Sequence, residues 1–104
     1  MKNYFEIFGK PGDTEQLTVA NTVVSLPDAA GGNLPIAALI TCEDNAVRFA
    51  FGDTVPTLTL GHILNANQSM RLAHPALIRS FSAINETAGS TAILHITYEY
   101  ELGA

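Results

Sequence analysis

The stretch Ala92-Ile93-Leu94-His95-Ile96-Thr97-Tyr98-Glu99-Tyr100-Glu101-Leu102 decides how this chain folds. Leu94, Ile96, Tyr98, Tyr100 and Leu102 share one parity, and His95, Thr97, Glu99 and Glu101 share the other. A period of two is that of a β-strand with one face buried and one face wet. The first set is therefore the expected core, and the second the expected solvent face. Upstream, Leu77 to Ile84 reads as another strand, joined to the first by Asn85-Glu86-Thr87-Ala88-Gly89-Ser90. The pair predicts a C-terminal hairpin on which the rest of the chain packs.

Working outward, 104 residues make one domain, 1–104, large enough for two packed sheets and too small for a second module. Hydrophobic residues are 47% and charged residues 14%, the reverse of a disordered composition. So few charges leave neutral surface for a partner to cover, which points to an oligomer or a part of an assembly. The net charge is −5, and Lys2, Lys10, Arg48, Arg71 and Arg79 are scattered. No basic stripe is available to neutralise phosphates, so direct nucleic-acid binding is not expected. The single cysteine, Cys42, cannot form an intrachain disulfide and lies in an apolar run, as an inert buried thiol does. The N-terminus has no long apolar stretch of a signal peptide, and the apolar run 34–41 is too short to span a bilayer. These features predict a chain made in the cytoplasm, without membrane association.

Along the chain, Tyr4, Phe5, Ile7 and Phe8 suggest a short strand within residues 1–9, a candidate contact strand. Gly9 to Asp13 reads as a turn that stops it. Gln16 to Leu26 is rich in Thr and Val but changes parity, from Leu17 and Val19 to Val24 and Leu26. A bulge or bend near Asn21 would do this. Residues 27–33, Pro-Asp-Ala-Ala-Gly-Gly-Asn, read as a flexible loop. Ile36 to Cys42 is apolar on both parities, as in a strand covered on both faces. Val47, Phe49 and Phe51 alternate with Ala46, Arg48 and Ala50, and the turn Glu43-Asp44-Asn45 suggests that these two strands form a hairpin. Thr59–Leu64 and Ser69–Leu72 complete the set. The nearest approach to a helix, Ala73 to Phe81, is weakened by Pro75 and Ile78. About eight short strands at even spacing predict an all-β, antiparallel β-sandwich. Without Trp and with one Cys, the hallmark of immunoglobulin domains is missing, so a jelly-roll-like sandwich is expected.

The residues offer no visible chemistry. His62, His74 and His95 lack the local spacing of metal ligands. Glu43-Asp44 and Asp53 flank a strand at opposite ends and read as solvated turn acids rather than a catalytic pair. Gly31-Gly32 lacks the rest of a phosphate loop, and no Ser sits in a nucleophile elbow. Catalytic, cofactor-binding and metal residues are therefore all expected to be none. Arg48, Arg71 and Arg79 lie in apolar segments, where an Arg either covers surface with its stem or bonds across an interface. Residues 65–67 and 85–90 are loop tips of the kind that carry contacts.

One resemblance goes further. Val47-Arg48-Phe49, Pro56-Thr57, Gly61-His62-Ile63-Leu64, Ile78-Arg79-Ser80-Phe81-Ser82-Ala83-Ile84 and Leu94-His95-Ile96-Thr97-Tyr98 follow in an order that resembles small structural proteins encoded beside the capsid genes of tailed bacteriophages. The resemblance covers about residues 36–100, and its motifs are structural. It implies a bacteriophage virion protein of β-sandwich fold, a capsid decoration or cement protein that stabilises the head shell. The implied partner is the major capsid protein, the implied state a homo-oligomer with a trimer favoured, and the implied place the capsid exterior after synthesis in the bacterial host cytoplasm. The first 35 residues match no such motif. Alternatives are a head-fibre base or tail component, a carbohydrate-binding module built on Tyr4, Tyr98 and Tyr100, and a small cupin-like enzyme, which would need clustered metal ligands.

Overall fold

A computed structural model of the chain describes residues 10–27 and 35–101. The strand expected within 1–9, loop residues 28–33 and Leu102 lie outside the described residues. Eight strands and one short helix follow in the order β1 (Lys10–Val19), β2 (Val24–Ser25), β3 (Ala37–Glu43), β4 (Val47–Ala50), β5 (His62–Leu64), β6 (Ser69–Leu72), α1 (Pro75–Ser80), β7 (Ser82–Asn85) and β8 (Ala92–Tyr100). Two antiparallel four-stranded sheets form, one in the order β1-β8-β3-β6 and the other β2-β7-β4-β5. The hydrogen-bonded pairs β1–β8, β2–β7, β3–β6 and β4–β5 nest one inside the next. That nesting is a long double strand rolled across two sheets, and it makes the sandwich a jelly roll.

β8 lies inside its sheet, between β1 and β3. Leu94, Ile96 and Tyr98 are buried, with Tyr100 packed against the core. Register carries the pattern across the sheet. Cys42 lies opposite Leu94, Ile40 opposite Ile96, and the small Ala38 opposite the large Tyr98. The facing sheet contributes Val47, Phe49, Leu64 and Ala83, with Phe81 beside them, so the two inner faces close a single core.

The expected hairpins do not form. β7 pairs with β2 and β4, while β8 lies in the other sheet, so residues 86–91 carry the chain between sheets. The same is true of β3 and β4, which the turn at Asp44, with φ of 77°, sends to opposite sheets. In both cases each strand buries one apolar face, and two such faces can cover each other across the sandwich as well as beside each other in a sheet. Composition around the turn does not distinguish these outcomes. The parity change between Val19 and Val24 has the same origin. The chain leaves one sheet after β1 and enters the other at β2, and Val19 and Leu26 are both buried.

Two local readings are also corrected. Residues 10–13 belong to β1, whose register shifts between Pro11 and Thr14. Pro is tolerated there because β1 is an edge strand. Gly12 is needed because a Cβ at that position would lie 2.8 Å from Cε2 of Tyr100. Residues 77–80, read as strand, are helical. Pro75 stands at the start of α1, where its missing N–H costs nothing, and His74 caps the helix by accepting a 3.1 Å hydrogen bond at Nδ1 from the Ala76 N–H. The proline that counts against a helix interior is here a start signal.

Candidate interaction surface

Turns alternate between the two ends of the sandwich. One end carries the β1–β2, β3–β4, β5–β6 and β7–β8 connections, and these bind one another closely. Asn85 N–H donates to Ala20 O (2.9 Å), Gly89 N–H to Asn21 Oδ1 (3.0 Å), Glu86 N–H to Ala46 O (3.0 Å), and Asn67 N–H to Cys42 O (2.7 Å). Asn85 is fully buried and its Nδ2 donates to Thr87 O. The loop tips 65–67 and 85–90 therefore spend much of their hydrogen bonding inside the molecule. Cys42 lies beneath them, its thiol donating to Asn45 O at 3.0 Å, and burial pushes its pKa up. A thiol held in its neutral form is a poor nucleophile.

The opposite end carries the 51–61 loop and α1, and its character is different. Arg48 points from β4 into that loop and donates from Nε to Leu58 O (2.8 Å) and from Nη1 to Gly61 O (3.0 Å). Thr57 closes a turn within it: its N–H donates to Leu60 O (2.9 Å), and its Oγ1 accepts from the N–H of Thr59 (3.2 Å) and Leu60 (3.0 Å). Gly61 takes φ of 129°, and a Cβ there would meet Phe49 O at 2.9 Å, so only glycine fits. The fixed backbone holds Val55, Leu58 and Leu60 outward, 61%, 43% and 52% exposed, and β5 adds Ile63 at 45%. Beside them a concavity of about 420 Å³ is lined by Ala50, Phe51, Thr54, Leu60, Gly61 and His62. Phe49, Phe51, Phe81 and His62 form a ring cluster around Phe49, with centroids 5.5–5.7 Å from it.

The polar face of the β8 sheet holds two charge-bearing pairs. Arg71 meets Glu99 side-on, Nε to Oε2 at 3.0 Å and Nη2 to Oε1 at 2.8 Å. Glu99, expected on the wet face, is fully buried there. His95 Nε2 lies 2.7 Å from Glu43 Oε1, so its carboxylate partner comes from β3 and not from its own strand. Thr14 and Thr97, and Thr41 and Ser69, pair their hydroxyls across strands. Among the described residues no three of His, Cys, Asp or Glu come together as a metal site would require. Of the tyrosines considered as a sugar platform, Tyr98 is core, Tyr100 is half-buried, and Tyr4 lies outside the described residues. No helix among the described residues is long and apolar enough to cross a membrane.

Comparison with family models, with curated proteins and with solved structures finds no match. The resemblance to phage-head proteins therefore stands on its motifs alone. Two of those motifs touch here, since Arg48 of Val-Arg-Phe donates to the carbonyl of Gly61, the first residue of the Gly61-His62 stretch, and to that of Leu58 just before it. The sequence reading did not mark Val55, Leu58, Leu60 and Ile63 as an exposed apolar surface. Their signal was available: Thr54 to Met70 contains no Asp, Glu, Lys or Arg. That β5 is a sheet edge was not available, because strand order is set by long-range pairing.

Proposed function

We propose that this chain is a structural protein of a tailed-bacteriophage virion, a decoration protein that binds the outside of the head shell, contacts the major capsid protein and acts as a homo-oligomer. The observation that carries the reading is the ordered series of motifs from Val47 to Tyr98, which resembles small head proteins. Three features support it. The jelly roll is a scaffold with its inner faces filled by side chains. Its Arg48 and Arg71 guanidiniums bond within the chain, and the formal charge is −5, so little draws it to packaged DNA. Its loops at one end hold apolar side chains outward on a fixed backbone, as a binding surface does.

Quantitative mass spectrometry of purified virions tests the proposal. A decoration protein is expected at a copy number comparable with that of the major capsid protein. A few copies per particle would assign the chain to a head-fibre base or tail component, and absence from particles would overturn the virion reading.

A further inference from the structure

We infer that β5 and the loop before it form a contact between two copies of this chain, with the β5 edges of the two copies pairing antiparallel across a two-fold axis. A sheet edge is a row of unpaired backbone groups that a second strand can complete, and proteins guard edges with charge, proline, bulges or extreme shortness. Among the described residues four strands are edges, namely β1, β6, β2 and β5. β1 carries Pro11, Asp13 and a register shift. β6 carries Arg71, engaged with Glu99. β2 is two residues long. β5, His62-Ile63-Leu64, has no charged residue, no proline and no bulge, though it too is short. Next to it, Arg48 turns its charge inward to the carbonyls of Leu58 and Gly61 and so leaves the edge neutral.

The choice of a second copy as occupant follows from charge and geometry. A chain of net charge −5 repels itself wherever acids face acids. The span Thr54 to Met70 carries no Asp, Glu, Lys or Arg, so two copies can meet there without that penalty. An antiparallel strand pair is two-fold symmetric, so an edge that lacks guards is its own complement. Pairing centred on Ile63 would set the two Ile63 side chains opposite each other and join the β2-β7-β4-β5 sheets of the two copies into one sheet of eight strands. Val55, Leu58 and Leu60 flank the edge, and the hydrogen bonds of Arg48 and Thr57 order their backbone before association. Ordering that is already present is not a cost of binding.

The inference does not rest on the virion reading. It also gives a two-fold pair in place of the three-fold assembly that the resemblance implies. Sedimentation velocity and native mass spectrometry of the purified full chain test it without any capsid. The wild-type protein is expected to be a dimer. Ile63→Asp and Leu60→Asp are each expected to weaken it at least about tenfold, while Thr18→Asp on the guarded β1 edge leaves it intact. Circular dichroism confirms that each variant is folded. Should the aspartates prevent folding, Ile63→Cys carries the test. Cys42 is buried, so oxidation of that variant is expected to give a covalent dimer through position 63, and wild-type protein none. A monomer or a trimer at every concentration, a dimer indifferent to both aspartates, or no covalent dimer from Ile63→Cys overturns the inference. None of these results bears on binding to the head shell, which the virion measurement tests separately.

Discussion

Arg71 and Glu99 show how a single side chain can be misplaced by periodicity and then explained by charge. Glu99 sits on the polar parity of β8 yet is fully buried, and its carboxylate oxygens are both taken by the Arg71 guanidinium on β6. β6 and β8 are not neighbours; β3 lies between them, so the pair bridges three strands. A buried carboxylate without its partner is far more costly than the pair is favourable. Arg71→Met is expected to destabilise the fold by about 2–4 kcal/mol, below the usual range for a fully buried pair because the Arg71 side chain keeps a quarter of its surface in water. Adding Glu99→Gln should return a large part of that loss. Chemical denaturation of the two single variants and the double variant checks this. A double variant no more stable than Arg71→Met would show that the buried charge is not the source of the cost.

Cys42 supports a second expectation at the residue scale. Desolvation by burial raises its pKa above the ordinary 9.0. Native protein should therefore react with thiol reagents only slowly at neutral pH, and at full rate once unfolded. The same shift links folding to pH. Above about pH 9 the unfolded chain loses a thiol proton that the folded chain keeps, so stability falls as pH rises through that value. Cys42→Ala should flatten that alkaline fall in denaturant melts, and an unchanged slope would refute the linkage.

At the scale of elements, the existence of strands was legible and their partners were not. The alternation in Ala92 to Leu102 and in Val47 to Phe51 names a strand and its buried face, because a period of two is a local property. Whether the next strand lies beside it or across from it depends on residues far away. Thr14 and Thr97, whose hydroxyls lie 2.7 Å apart, are joined only by the closing of the whole roll. The helix α1 was obscured for a different reason: Pro75 is read as a breaker unless its position relative to the His74 cap is known. The candidate surface was half legible. Its neutral apolar composition is in the sequence, whereas its exposure follows from Arg48 reaching Leu58 and Gly61 across a turn of unknown shape.

The sheet order makes a direct expectation for these elements. β8 and β3 are interior strands with partners on both sides, while β5 and β2 are short edges. Amide exchange in the isolated monomer, for instance the Leu60→Asp variant, should be slowest in β8 and β3 and fastest in β5 and β2. If β7 and β8 formed a hairpin unit, their amides would open together; with the two in different sheets, β7 is expected to open with β4.

For the whole molecule, nested pairing means that little structure is stable until distant segments meet. The first described strand pairs with the last, and no local hairpin joins β3 to β4 or β7 to β8. Folding that depends on such separated contacts is slow for its size, in the range of about milliseconds to seconds typical of β-sandwiches. Stopped-flow refolding in the monomeric variant would measure it, and a microsecond phase accounting for the full amplitude would contradict the topology.

The pairing of Lys10 with Tyr100 has one more consequence. Lys10 and Tyr100, at the outer ends of β1 and β8, are neighbours in one sheet, so the backbone between them nearly closes a ring. Ligating those ends through a short flexible linker and opening the ring at Asn65–Gln68 would produce a circular permutant with the same sheets. In that permutant the new termini emerge at the hydrogen-bonded end of the sandwich, away from Leu58 and Leu60. A cargo fused there would stand clear of the apolar rim formed by Val55, Leu58 and Leu60.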